Sequence, residues 1–325
     1  MKFTKYMFNF PHEATKQILL YNAFSGALAL IESEKWETVK YWQLHGIDNS
    51  DPDLISDLQR GSFIHADSVD ELQELKLRLF SGRFSSNGFG ITIAPTSNCN
   101  FRCPYCYETH APITMRRETL DQIQRYVIGQ VPRFRNLHLN WFGGEPTLCK
   151  DIILETCALV QEVQATHAFR YSGGMTTNGY LLDADAFRQY YAAGITNYQV
   201  TLDGWKHDET RPHVSGKGTL QTILNNLIAL SGLPKERYLF RMVIRHNILA
   251  GDRDFSWYDH LYDLFGGDDR FSVYVSPVGD WGGESVRTLE LLDGSRRRGF
   301  RWSTWRIWTE LVCAVKIRTR NRLHR

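Results

Sequence analysis

The sequence predicts an α/β protein: a partial (β/α)6 barrel of the TIM type, with a small mixed α/β domain before it and an irregular tail after it. Three observations predict it. From Phe89 onward, six short β-rich runs alternate with five helical stretches, which is the texture of parallel βα units. Almost every run is followed at once by a polar or glycine-rich loop. The chain has 325 residues, more than one core usually carries, so two domains are expected.

Residues 1–88 read as the small N-terminal domain. "ALALIES" has the composition of a strand, and "PDLISDLQR" and "SVDELQELKLRLF" have the spacing of amphipathic helices. Ser68 is placed to cap the second helix, with Glu71 three residues later, and "SSNGFG" marks a break. His45 and His65 read as ordinary histidines, and no catalytic constellation is visible here.

Residues 89–280 read as the barrel. Its strands are expected at "GITIAP", "LHLNWF", "FRYSGGMTT", "TNYQVTL", "YLFRMVIRH" and "RFSVYVS". Helices are expected at "RRETLDQIQRYVIGQV", "KDIILETCALVQEVQAT", "DADAFRQYYAAG", "TLQTILNNLIALSG" and "DFSWYDHLYDLFG". The six strands lead in turn into a cysteine cluster, "GGEP", "TNG", "LDG", "RHN" and "SPVGD". A doubly wound sheet gathers its ligand groups at one switch point. A β/α barrel collects them from the carboxyl ends of many strands. Five or six polar loops favour the barrel, open on one side because eight strands are not present.

Hydrophobic residues make up 42% of the chain and charged residues 23%, as in ordinary globular proteins. No apolar run reaches the roughly 18 residues of a membrane span. The opening "MKFTKYMFNFPHEATK" lacks the apolar core of a secretory signal. A cytoplasmic location is therefore expected, where clustered cysteines mean metal or catalysis more often than a disulfide. The net charge of +2 is uneven: from Gly294 to Arg325 ten basic residues face one acidic residue, Glu310. The rest is mildly acidic, which gives no nucleic-acid surface.

"CNFRCPYCYE", residues 99–108, sets three thiols at Cys99-x3-Cys103-x2-Cys106. Three thiolates on one short loop can converge on a metal centre. Iron–sulfur clusters usually take four, so three leave one iron without a protein ligand, and an open position is what a catalytic metal keeps for substrate. With His110, the same thiols could instead form a Cys3His zinc site in a non-catalytic interaction module. Cys149 and Cys157, eight apart on one expected helix, read as small buried hydrophobes.

"APTSNCNFRCPYCYE" resembles the cluster loop of the radical S-adenosylmethionine (SAM) enzymes, and "WFGGEP", "TTNGYLL" and "TLDG" follow in that superfamily's order. More narrowly, it is similar to the branch carrying SPASM-type C-terminal domains. The resemblance implies that Cys99, Cys103 and Cys106 hold a [4Fe–4S] cluster whose open iron is chelated by SAM. It places Tyr105 near the adenine, and Gly143, Gly144 and Glu145 at the methionine amino group. Thr177, Asn178, Thr201 and Asp203 would lie beside the ribose and the methionine carboxylate. Arg245 would pair with that carboxylate, or be a solvated surface arginine; Asn178 and Asp203, each before a glycine, could also be simple turn formers. The reaction implied is one-electron reduction of SAM to a 5′-deoxyadenosyl radical, which abstracts a hydrogen from substrate, with flavodoxin or ferredoxin as the reducing partner.

The substrate expected from this resemblance is a peptide or protein, a ribosomally made precursor receiving thioether or carbon–carbon crosslinks. The N-terminal domain would then grip its leader. Sulfatase-type maturation and small-molecule radical chemistry are the alternatives within enzymes. Residues 281–325 are expected to be a truncated or abnormal tail, out of frame where relatives carry a cysteine-rich domain. The stretch from Gly294, with nine arginines, three tryptophans and one cysteine, Cys313, cannot hold a further cluster. Basic residues interleaved with aromatics offer another reading, a surface for nucleic acid or acidic partners.

Overall fold

A computed structural model describes residues 1–12, 16–84, 87–249 and 252–291 apart from 253, 255, 284 and 290. These residues form two compact units that divide between residues 84 and 87. The basic stretch from Gly294, with Cys313, lies outside the described residues.

The first unit begins with a short strand, β1 (Lys2–Phe3), followed by β2 (Met7–His12), β3 (Gln17–Asn22) and β4 (Leu28–Ile31). The last three form an antiparallel sheet in chain order. Helices α1 (Ser33–His45) and α2 (Pro52–Arg60) follow, then β5 (Ile64–His65), which pairs with β1, and α3 (Glu71–Phe84). Leu20, Val39, Trp42, Leu54, Leu58, Phe63 and Ile64 make its core. Asp51 starts α2 by accepting the Leu54 N–H at 2.9 Å, with Pro52 in the first turn, where its missing N–H costs nothing.

Two expectations for this unit are corrected. Asp70, not Ser68, caps α3, accepting the N–H groups of Leu72 and Gln73 at 3.1 Å each. Glu71 turns away from the cap to receive the Thr4 hydroxyl and, at 3.0 Å, the Lys5 N–H. Nor is α3 amphipathic toward its own unit: Leu72, Leu77, Leu79, Phe80 and Phe84 are all exposed.

The second unit is the expected partial (β/α)6 barrel. Its elements are β6 (Gly88–Ile93), α4 (Arg117–Gln130), β7 (Asn136–Trp141), α5 (Lys150–Gln164), β8 (Arg170–Thr177), α6 (Ala184–Ala192) and β9 (Ile195–Thr201). After them come α7 (His207–Thr210), α8 (Leu220–Ser231), β10 (Arg241–Ile248), α9 (Ser256–Phe265) and β11 (Phe271–Pro277). The six strands pair in parallel and in chain order, β6 to β11. No reversal of strand order occurs, so there is no switch point, and the doubly wound alternative falls away.

Strand alternation decides which face packs. Leu137, Leu139 and Trp141 of β7 are buried, as are Tyr198 and Val200 of β9 and Met242, Ile244 and Ile248 of β10. Ile153, Cys157 and Val160 supply the buried side of α5, and Cys157 receives the Tyr171 hydroxyl at 3.1 Å. Each fully buried aliphatic side chain contributes about 1.5–3 kcal/mol. Among the described residues no helix is long and apolar enough to cross a membrane.

Candidate functional site

Because every strand of the barrel runs the same way, the loops leaving their carboxyl ends collect on one rim. The first loop, after β6, carries Cys99, Cys103 and Cys106 as free thiols, Cys99 buried and the others half-buried. Cys99 Sγ accepts the Phe101 N–H at 3.3 Å, and the Cys106 N–H closes a turn onto the Cys103 carbonyl at 3.0 Å. A strap from the segment after α7 holds this loop. The Arg102 N–H donates to Pro212 O at 2.8 Å, the Val214 N–H donates to Asn100 O at 2.9 Å, and Phe101 bridges His213.

Burial pushes the Cys99 thiol up to about 11 and raises Cys103 and Cys106 as well; in all three the Arg211 guanidinium acts the other way. Among the described residues no three His, Cys, Asp or Glu side chains are drawn tightly enough together to enclose a single ion.

The second loop, after β7, lies directly on the first. Gly143 adopts a φ of 117°, and a Cβ there would stand 2.5 Å from Thr96 O. At Gly144 a Cβ would stand 2.2 Å from Asn98 O. The Gly144 N–H donates to Thr96 O at 3.0 Å, and the Glu145 N–H to Asn98 O at 2.9 Å. What these glycines admit is the backbone that carries Cys99.

Glu145 is only 1% exposed, and four protein donors engage its carboxylate. Oε1 accepts the Thr147 N–H at 3.1 Å and the hydroxyls of Thr147 and Thr177 at 2.6 Å each. Oε2 accepts the Asn178 N–H at 2.7 Å. Burial raises its pKa despite these bonds. Asn178 in turn donates through Nδ2 to Asn100 Oδ1 at 2.7 Å. Glu145 thus bolts the second and third loops together, and Asn178 bolts both to the cysteine loop.

A second network joins the remaining residues. The Tyr105 hydroxyl donates to Asp203 Oδ2 and accepts from Arg211 at 2.8 Å and from Asn247 Nδ2 at 3.2 Å. Asp203 Oδ1 takes the Asn247 N–H at 3.2 Å, and its Oδ2 takes the Thr210 hydroxyl at 3.2 Å. Burial holds the Tyr105 phenol well above its ordinary range. Thr201 is buried beside Arg245 in register on the neighbouring strand. Arg245 is not free in solvent: it donates to Asn247 Oδ1 at 2.8 Å and Ser276 Oγ at 3.1 Å.

His207 supports this network from below. It is fully buried, and its Nδ1 accepts the Asp203 N–H at 3.3 Å, which leaves the proton on Nε2, without a partner among the described residues. Burial, helped by Arg211, depresses its pKa from 6.5 to about 3. The unfolded chain therefore binds a proton that the folded chain refuses, and stability falls as the pH drops below 6.5 toward 3. Urea midpoints are expected to show a loss of up to about 1.4 kcal/mol per pH unit in that window, flattened in His207→Asn. Equal slopes in the two proteins would contradict this.

Sequence reading missed Arg211, Asn247, Asn100 and His207. Asn247 lay inside the noted "RHN", and "HDETRP" begins two residues after "LDG", which were the available signals. It also missed the inner face of the sheet. Strand positions alternating with the buried ones carry Thr92, His138, Asn140, Ser172, Asn197, Gln199, Arg245 and Tyr274, none of them buried. His138 Nδ1 lies 2.9 Å from Ser172 Oγ, and a Cβ at Gly174 would meet Asn140 Oδ1 at 2.8 Å, so these groups share one face.

Comparison with known proteins gives the family of the second unit. Residues 93–252 match the family model of the radical SAM superfamily. Among curated proteins, the GTP 3′,8-cyclase of Tolumonas auensis is 31% identical over 153 residues, 45% of this chain and 42% of the relative. That of Mannheimia succiniciproducens is 29% identical over 123 residues, 37% of this chain and 34% of the relative. That of Haemophilus ducreyi is 26% identical over 184 residues, 55% and 52% respectively. The chain spans about half or less of the length of these relatives. Among solved structures, anSMEcpe with bound AdoMet and the Cp18Cys peptide superposes with a TM-score of 0.44 at 22% identity, covering 58% of this chain and 50% of that one. Streptococcus suis SuiB gives 0.45 at 13% identity, covering 98% and 70%.

These relatives correct one expectation. The sequence relatives are named for a reaction of GTP, a small molecule, and not for a peptide, so the peptide or protein substrate and the crosslinking of a ribosomal precursor are withdrawn. The reason is that the quoted motifs build rim loops common to the superfamily and do not themselves distinguish a substrate. The match is to the superfamily as a whole and leaves the SPASM branch unassigned. Residues 93–252 are a radical SAM domain, and the chain belongs to the radical SAM superfamily, whose enzymes work with a [4Fe–4S] cluster and SAM.

Proposed function

We propose that this enzyme directs its radical chemistry at a small polar molecule, with a guanosine nucleotide such as GTP as the substrate class. The observation that carries the reading is the inner face. Hydroxyl, amide, imidazole and guanidinium groups from Thr92 to Tyr274 line the face of the sheet opposite its buried side chains. Such a surface suits a hydrogen-bonding ligand with many donors and acceptors. The names of the curated relatives supply the nucleotide.

In this reading Cys99, Cys103 and Cys106 hold the cluster. Held there, the cluster would supply the one-electron reduction of SAM that opens the family's radical chemistry. The protein's own part is positional. Glu145 and Asn178 lock three rim loops into one rigid lip. Tyr105, Asp203 and Asn247 fix the floor beneath the cysteine loop. Arg245 and Tyr274, in register on β10 and β11, offer a cation and an exposed ring to an anionic, planar ligand.

The test uses the anaerobically reconstituted chain with SAM, dithionite and GTP deuterated at C3′, because joining C3′ to C8 requires a hydrogen to leave C3′. Deuterium is expected in the 5′-deoxyadenosine recovered. Cleavage of SAM at the same rate with and without GTP, and no label transferred, would overturn the substrate class.

A further inference from the structure

Arg211 sits under the cysteine loop with an uncommon lack of partners. It is 8% exposed, and its Nε has no hydrogen-bond acceptor among the described residues. One terminal nitrogen donates to the Tyr105 hydroxyl at 2.8 Å, and the guanidinium carbon lies 5.5 Å from the centre of the Phe101 ring. Phe101 and Tyr105 lie between and beside the three cysteines, so the cation is aimed at that loop. The strap through Pro212 fixes it there, one residue away. No carboxylate of the described residues lies within ion-pair distance of it: Asp203 spends its oxygens on Tyr105, Thr210 and Asn247.

A buried charge is stable only when it is paired. Burial opposes the charge on Arg211, yet nearby Tyr105 and Asp203 keep its guanidinium protonated. Two other arginines near this loop are held by uncharged partners. Arg102 is exposed and donates to the carbonyls of Cys99 and Phe101, and Arg245 is held by Asn247 and Ser276.

We propose that Arg211 is the buried counter-cation of the iron–sulfur cluster and sets how readily that cluster accepts its electron. The inference rests on the assignment of Cys99, Cys103 and Cys106 to the cluster. Reduction brings one electron from an external low-potential one-electron carrier and no proton. It takes the core with its three thiolates from a single to a double negative charge, with no bond made or broken. A fixed cation nearby stabilises the more negative state and raises the potential. Arg211 touches neither substrate nor the reacting atoms; it is a positioning residue that acts through the cluster.

The experiment compares wild type, R211K, R211M and R211Q, reconstituted with iron and sulfide and poised potentiometrically without SAM or substrate, with the reduced cluster read by electron paramagnetic resonance. The neutral variants are expected to lose about tenfold in the reduction equilibrium, a midpoint lower by about 59 mV for one electron. R211K should stay near wild type. A neutral variant with an unchanged midpoint overturns the proposal, and if it also binds SAM more weakly, the SAM carboxylate is the anion that Arg211 pairs. If circular dichroism shows that neither neutral apo-variant folds while R211K does, the charge serves the fold without a cluster, and the proposal is likewise overturned. A wild-type chain that loads no cluster would instead sink the cysteine assignment.

Discussion

Cys103→Ala is expected to contain no [4Fe–4S] cluster after anaerobic reconstitution and to cleave no SAM under dithionite. The loop offers three thiols and no fourth. Losing one leaves two protein ligands for a cluster that usually takes four, and none of the donors that surround the loop replaces it. The fold should survive, because the loop is held by backbone bonds of Asn100, Arg102 and Val214 that Cys103 does not make. Iron analysis and recovery of 5′-deoxyadenosine give the readout. A Cys103→Ala protein that still turns SAM over would remove the cysteine loop from the mechanism.

Glu145→Gln is expected to destabilise the protein even without cluster or SAM. An amide keeps one acceptor and adds a donor. Oε1 faces three donors and Oε2 one, so the new NH2 must oppose at least one of them. An opposed, unsatisfied pair in a site 1% exposed costs about 1–3 kcal/mol. The rim loses its bolt, and SAM affinity should fall with it. Thermal unfolding of the apo-protein separates this from a simple ligand contact. An unchanged apo-protein with weakened SAM binding would restore Glu145 to direct contact with the methionine amino group, the role its motif suggests.

The barrel was legible because its signals are local and repeated. Each strand couples an apolar outer face to a polar loop at its end, and "GITIAP", "LHLNWF" and "TNYQVTL" each fall on the observed strands β6, β7 and β9. The N-terminal unit was less legible. The hairpin of β2 and β3 has no turn signal, and α1 buries Val39 and Trp42 but exposes Tyr41 and Leu44, which blurs its helical period. Ser68 fitted a capping box in sequence, yet Asp70 stands nearer the first turn and captures the free N–H groups.

Within the site, residue types pointed to the right loops but not to their partners. "GGEP" reads as a ligand loop, whereas Gly144 packs against Asn98 and Glu145 is consumed by Thr147, Thr177 and Asn178. The contacts to Asn98, Thr177 and Asn178 join residues more than thirty positions apart, which periodicity does not report. Arg211 is the sharpest case: it meets Tyr105 across 106 positions. The peptide substrate was misread for a related reason: the rim motifs are shared across the superfamily and do not distinguish its substrates.

The most direct test of the site is electron paramagnetic resonance of the dithionite-reduced, reconstituted chain before and after SAM is added. Three cysteines that leave one iron open to SAM require the spectrum of the reduced cluster to change when SAM binds, with a change lost in Cys103→Ala. A well-formed cluster signal that is identical with and without saturating SAM would contradict the account.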